Sequence, residues 1–129
     1  MFLIDADTLN FLLLQNPGVI ENFEQFEDKI ALSTISAMEC FELHLNKNPV
    51  ILKFFKAIFE SYKVIQFDLN DSLTFAKIKN QNPLIQNLSK DQEFMIAAQC
   101  LNRGYTLVTP NSNFDNINHL KTSNWVSEK

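Results

Sequence analysis

The chain has 129 residues, 46% of them hydrophobic and twelve of them Phe, a composition that suits a globular core and excludes a disordered chain. Eleven Lys and Arg against fifteen Asp and Glu leave a net charge of −4, so no global basic field advertises nucleic acid, and such binding would need a local basic patch or a metal. Cys40 and Cys100 stand in no metal-binding spacing and suggest no disulfide framework, the N-terminus lacks a leader pattern, and the apolar run 11–14 is far too short to span a membrane, which sets the expectation of one cytoplasmic domain over 1–129.

The first strand is expected over residues 1–5, followed by a helix from about Asp7 with Leu9, Leu12 and Leu13 on one face. "NPGVIENFEQFEDK" turns into a second helix through Val19, Phe23 and Phe26, and "IALST" reads as a short strand. In "SAMECFELHLNK" the spacing predicts a helix with Met38, Phe41 and Leu45 as its apolar stripe. "PVILKFFKAIFESY" carries a proline suited to the first helical position and a wide apolar face through Ile51, Phe54, Phe55, Ile58 and Phe59. "KVIQF" is a strand, and "NDSLTFAKIKNQ" is an amphipathic helix through Leu73, Ala76 and Ile78. "SKDQEFMIAAQCLNR" is helical with Gly104 as its C-cap, "YTLVT" is a strand, and "HLKTSNWV" closes the chain with a last strand after one helical turn. Strands alternating with helices imply a mostly parallel sheet covered on both faces, with ligands bound beyond the carboxyl ends of the strands.

The acids collect at those ends. Asp5 and Asp7 follow the first strand, Glu39 follows "IALST", Asp91 and Glu93 open the helix before "YTLVT", and Asn111, Asn113 and Asp115 come after that strand. Each has an ordinary structural role open to it. Asp7 can cap the first helix, and the stretches beginning at Ser36, Ser89 and Ser112 fit capping boxes. Four acidic helix starts at one end of a parallel sheet would nevertheless converge, and clustered carboxylates repel unless one protonates or a cation joins them. Oxygen-only donors suit Mg²⁺ or Mn²⁺, ions that activate water and stabilise charge on a phosphoryl group. His44 and His119 lack an acid partner at a matched spacing, and Lys47, Lys53, Lys56 and Lys63 read as a solvated face or a modest backbone-contacting patch.

Two families resemble parts of this pattern. "FLIDADTL" resembles the first motif of the haloacid dehalogenase-like phosphatases, which would make Asp5 a nucleophile and Asp7 a general acid. The later lysine and acidic pair of that family have no match here. The second resemblance covers nearly the whole chain: it looks like a PIN domain, specifically a VapC-type toxin ribonuclease. It rests on "FLIDADTLNFLL", on "LSTISAMECFEL", and on "EFMIAAQCLNRGYTLVTPNSNFDNINHLKTSNWV", where Ile-Ala-Ala, Gly and Leu-Val-Thr fall in register.

That resemblance implies an α/β, PIN-like three-layer sandwich with a central sheet of about five short strands. It places Asp5, Glu39 and Glu93 in the three main acidic positions as catalytic residues. Asp5 and Glu93 would hold Mg²⁺ or Mn²⁺, with Asp91 and Asp115 as further candidate ligands. Asp7, Ser36, Thr109, Asn111 and Asn113 would form the surrounding shell. The third acid is Glu93 where the family has Asp, and Asn111 and Asn113 are neutral where a fourth acid is usual. The implied activity is endoribonucleolytic hydrolysis of RNA by metal-activated water, as the toxin of a toxin–antitoxin pair. A small antitoxin protein and a second copy of the chain are the implied partners. The alternatives are a non-catalytic PIN module that binds RNA or protein, motivated by the neutral asparagines, and a small phosphatase.

Overall fold

The computed structural model describes residues 1–128. Its elements are β1 (Phe2–Ile4), α1 (Ala6–Leu13), α2 (Pro17–Gln25), β2 (Ile30–Ser33), α3 (Thr34–His44), α4 (Pro49–Ser61), β3 (Lys63–Ile65), α5 (Leu69–Gln81), α6 (Asp91–Arg103), β4 (Thr106–Val108) and β5 (Lys121–Ser123). Single 3₁₀ turns at Glu27–Lys29 and Ser112–Phe114 complete the order.

The five strands form one sheet in the order β3-β2-β1-β4-β5, and every pairing is parallel. β1 is therefore central. The chain builds outward through β2 and β3 on one side of it, then crosses back to add β4 and β5 on the other. The direction reverses between β1 and β4, which makes their carboxyl ends the switch point where parallel α/β sheets open a crevice.

Strand side chains alternate between two cores, as the period of a strand requires. Leu3, Ala31, Ile65 and Leu107 face a cluster that includes Ile78 of α5 and Phe94, Ala97 and Ala98 of α6. Ile4, Ile30, Leu32 and Val108 face the opposite cluster, with Leu9, Val19, Phe23, Phe55, Phe59 and Trp125. Parallel strands buried on both faces read as continuous apolar runs, and "FLI", "IALS" and "TLV" do so.

Two predicted stripes differ from the observed ones. Met38 and Leu45 are 57% and 54% exposed, and α3 buries Ile35, Ser36 and Cys40 instead. Leu73 of α5 is also exposed, while Asp71 and Ile78 are buried. α3 sends Ile35 to one core and Cys40 to the other, so its buried stripe follows the sheet it crosses rather than the strongest apolar periodicity.

The ends of the elements have local causes. Asn48 caps α4 through the N–H groups of Val50 and Ile51, with Pro49 at the first helical position. α6 ends on Gly104, whose φ of 69° lies in the left-handed region. Asp68 and Asp71 form a reciprocal capping box at the start of α5. Asp71 is fully buried and also accepts from Arg103 at 2.8 and 3.0 Å and from Asn102 at 2.9 Å. This pair ties α5 to the last turn of α6. Gly18 permits the C-terminal segment to cross α2, because a Cβ there would stand 2.4 Å from the Trp125 carbonyl oxygen. Asn16 and Ser127 bond across the same crossing.

Candidate metal and catalytic site

The turn from β1 into α1 places Asp5. Its backbone N–H still donates to Val108 of β4 at 3.1 Å, so the residue remains tied to the sheet. Its carboxylate accepts from the Thr8 N–H at 2.8 Å, which makes Asp5 the N-cap of α1. The cap is thus Asp5, not Asp7. Asp7 lies in the first turn, exposed, where an acid suits the positive end of the helix.

The three expected capping boxes also fall elsewhere. The N-cap of α3 is Ser33, which leaves Ser36 inside the helix with its hydroxyl on the Ile4 carbonyl at 3.3 Å. Lys90 precedes α6 without a side-chain cap, and Asn111, not Ser112, caps the turn after β4. For α3 the reason is geometric: the helix starts where β2 releases the chain, and the end of that strand puts the cap at Ser33.

Asp5, Asp7, Glu39 and Glu93 line one narrow cavity at the carboxyl ends of the strands, together with Lys90. α1, α3 and α6 each supply part of its wall. Its volume is about 10 Å³, the room of a single water-sized occupant. Asp5 is 5% exposed. Burial lifts its pKa to about 6, and Asp7 adds to the rise, against the pull of the Thr109 and Thr8 side chains. Burial likewise lifts Glu39 to about 7; Lys90 opposes the rise, and Asp7, Asp5 and Glu93 reinforce it. The same surroundings push the Cys40 thiol up to about 12, which removes it as a nucleophile near neutral pH.

Asn111 reaches this site from the other side of the switch point. Its Nδ2 donates to Glu93 Oε2 and to Ser89 Oγ, and its Oδ1 accepts from the Asn113 N–H at 3.0 Å. A neutral donor here orients Glu93, where a fourth carboxylate would repel it. Asn113 lies behind it, 3.5 Å from Ser89 Oγ. Thr109 is buried at the end of β4 and accepts from the Asn111 N–H at 3.0 Å.

Two expected ligands stand apart. Asp91 pairs with Lys79 at 2.7 Å on the exposed surface of α6, because it lies two residues before Glu93 and therefore on another helix face. Asp115 accepts from Thr122 at 3.0 Å and is exposed. Neither lines the cavity. Lys90 was not legible as a site residue: an isolated lysine before a helix carries no signal until α6 is docked beside α1 and α3. His44 stacks on Phe55 with ring centroids 5.3 Å apart, and His119 sits in a turn at φ 67°.

Among the described residues, no three His, Cys, Asp or Glu side chains converge closely enough to form a ready-made metal cage. Mg²⁺ asks for less, since it keeps several waters and takes one or two carboxylates. The donor set fits such an ion: all-oxygen, partly desolvated, and carrying a repulsion that a divalent cation would relieve.

No protein-family model and no curated protein matches the sequence. Solved structures do match. A chain of the DNA-bound VapBC complex from Salmonella typhimurium aligns at a TM-score of 0.85 and 20% identity, over 96% of this chain and 97% of that one. VapBC2 of Rickettsia felis, bound to a promoter DNA fragment, gives 0.82 and 19% over 96% and 98%. VapBC-1 of nontypeable Haemophilus influenzae gives 0.81 and 18% over 96% and 97%. A likeness at such identity is one of fold: with its all-parallel sheet and flanking helices, this chain has the PIN-like fold that it shares with those VapBC chains.

Proposed function

We propose that the chain is a divalent-metal-dependent endoribonuclease that acts in the cytoplasm as the toxin of a toxin–antitoxin pair. The observation that carries this reading is the gathering of Asp5, Glu39 and Glu93 on one desolvated cavity at the switch point of the sheet. Asp5 and Glu93 would hold Mg²⁺ or Mn²⁺. When bound, the ion supplies Lewis-acid stabilisation of the phosphoryl oxygens and lowers the pKa of water.

The chain's own residues do the rest. Asp5 is fixed by the Thr8 N–H, so its carboxylate points from a rigid strand end and loses little freedom on engaging a ligand. Glu39 lines the same cavity as Asp5 and Glu93, where a carboxylate suits the general-base role toward water. Asn111 and Thr109 set the position of the Glu93 side. Lys90 supplies the positive charge that an incoming phosphate meets at the cavity mouth. The narrow mouth favours single-stranded or looped RNA, whose backbone can bend into it.

The similar structures from Salmonella and Haemophilus are VapBC assemblies, and another, from Klebsiella pneumoniae, is described as a toxin–antitoxin complex (TM-score 0.77, 16% identity). They support a small protein antitoxin as partner, and the family resemblance adds pairing with a second copy of this chain. The test is digestion of end-labelled RNA with Mn²⁺ by the wild type and Asp5→Asn. Metal-dependent cleavage lost in the variant is expected. RNA binding without cleavage would point to a non-catalytic module, and phosphomonoester turnover without RNA cleavage to a phosphatase.

A further inference from the structure

Acids gather at the carboxyl ends of the strands, but several of their oxygens are already engaged. Asp5 Oδ1 accepts from the Thr8 N–H. A carboxylate that bridges two ions gives one oxygen to each, and Asp5 has committed one of its two to the start of α1. Glu93 Oε2 accepts from the Asn111 amide, which leaves Oε1 as its oxygen without a hydrogen bond among the described residues.

The β4 side of the site supplies no carboxylate. Asn111 holds the place after β4 and all its polar side-chain atoms have partners. Oδ1 accepts from the Asn113 N–H at 3.0 Å, and Nδ2 donates to Glu93 and to Ser89. What Asn111 turns toward Glu93 is an N–H group, which a cation cannot bind. Asp91 and Asp115 are held outside the cavity by Lys79 and Thr122.

Space and charge agree with this. The carboxylate cavity has a volume of about 10 Å³, the room of a single water-sized occupant, whereas the ions of two-metal sites stand ~3.5–4 Å apart. A second cavity of about 190 Å³ adjoins it, and Lys90 lines both. Among the described residues Lys90 is the one cation that lines either cavity. It forms no ion pair there, while Lys79 and Arg103 do. Of the charges acting on Glu39, that of Lys90 is the largest.

We propose that the site is built for one divalent ion, because Asn111 withholds the ligand of a second and Lys90 supplies the positive charge that a second would bring to the phosphate. The inference rests on the divalent-metal reading above and narrows it. In two-metal sites the pair of ions shares the charge on the attacking and leaving oxygens. Here an ammonium with three N–H donors, placed just before α6, takes one of those parts.

The test is titration of Mn²⁺ into the full-length protein without RNA, with calorimetry for the number of ions and electron paramagnetic resonance for their separation. Wild type is expected to bind one Mn²⁺ per chain, lost in Asp5→Asn, with the spectrum of an isolated ion. Two ions per chain with the broadened spectrum of a coupled pair overturn the proposal and leave the metal-dependent reading standing. No bound Mn²⁺ overturns both. Lys90→Met should tighten binding of the single ion about two- to fivefold, the scale of one exposed charge interaction, and raise KM for RNA; an unchanged affinity overturns the role of Lys90. Asn111→Asp retains a side chain able to cap the turn after β4 and adds a carboxylate. Combined with Lys90→Met it should admit a second, coupled Mn²⁺. A double variant that keeps the wild-type circular dichroism spectrum and still binds one ion overturns the proposal; if the double variant does not fold, the wild-type count and Lys90→Met decide it.

Discussion

Replacing Asp5 with Asn should change how the stability of the metal-free protein depends on pH. Asn caps a helix as well as Asp does, so the Thr8 N–H keeps its acceptor. What disappears is a charge at a position 5% exposed. Folding raises the Asp5 pKa from 3.8 to about 6, so between these values the folded state keeps a proton that the unfolded chain has lost. Stability from this group is therefore greatest below about pH 4 and falls as pH rises through 6. A shift of roughly two units corresponds to about 3 kcal/mol. The substituted amide carries its own cost for imperfect hydrogen bonding, about 1–3 kcal/mol, but that cost does not vary with pH. The decisive quantity is the change in the wild-type-to-variant difference between pH 4 and pH 8. It should be about 3 kcal/mol in the variant's favour, or roughly 10 °C in Tm for a domain of this size. Thermal melts followed by circular dichroism in EDTA would measure it. Asp5→Ala should show the same pH effect with a uniform further loss of about 1 kcal/mol from the missing cap. Parallel pH profiles for wild type and Asp5→Asn would refute the assignment of a desolvated charge to this site.

Glu93→Gln should weaken Mn²⁺ binding more than Asp91→Asn in calorimetric titration, because Asp91 is held by Lys79 outside the cavity; the reverse order would move the ligand to Asp91. Asn111→Ala should free Glu93 and lower metal affinity or kcat/KM about 10- to 100-fold, with about 1 kcal/mol of stability lost in urea unfolding as the turn after β4 loses its cap. Arg103→Ala should cost about 3–5 kcal/mol in urea unfolding by stranding the buried Asp71. Burial alone would raise the Asp71 pKa, yet bonds from Arg103, the Asp68 backbone and Asn102 hold it at about 2, so that stabilisation is full above about pH 4 and fades as pH falls through 2. Gly18→Ala should destabilise by about 1–3 kcal/mol through the clash with the Trp125 carbonyl oxygen, read as a lowered Tm with unchanged metal affinity.

The opening stretch "LIDADTL" shows how a local pattern acquires meaning. A strand followed by Asp-Ala-Asp-Thr admits a cap, a nucleophile or a metal ligand. The fold gives Asp5 the cap and the cavity together, because the carboxylate that accepts from Thr8 also faces Glu39 and Glu93. Asp7, whose spacing looked right for capping, lies two residues past the cap position, inside the helix. Glu39 was legible because it sits on the helix that follows a central strand, and Glu93 because "IAAQCLNRGYTLVT" put its helix in register with β4. Asp91 and Asp115 carried similar local signals, yet their faces turn away from the cavity.

Periodicity and composition by themselves determined the alternation of strands and helices, the parallel sheet, and the collection of acids at one end of it. Those features follow from burial, which repeats along the chain at a period set by backbone geometry. Only the tertiary structure decided which acids share a cavity, that Lys90 stands among them, that Asn111 holds Glu93, and that Asn10 and Gln92 face an open space beside it. These relations join residues of α1, α3, α6 and the turn after β4, segments up to a hundred positions apart. No local period encodes them, because side-chain direction at a helix start depends on where each strand releases the chain.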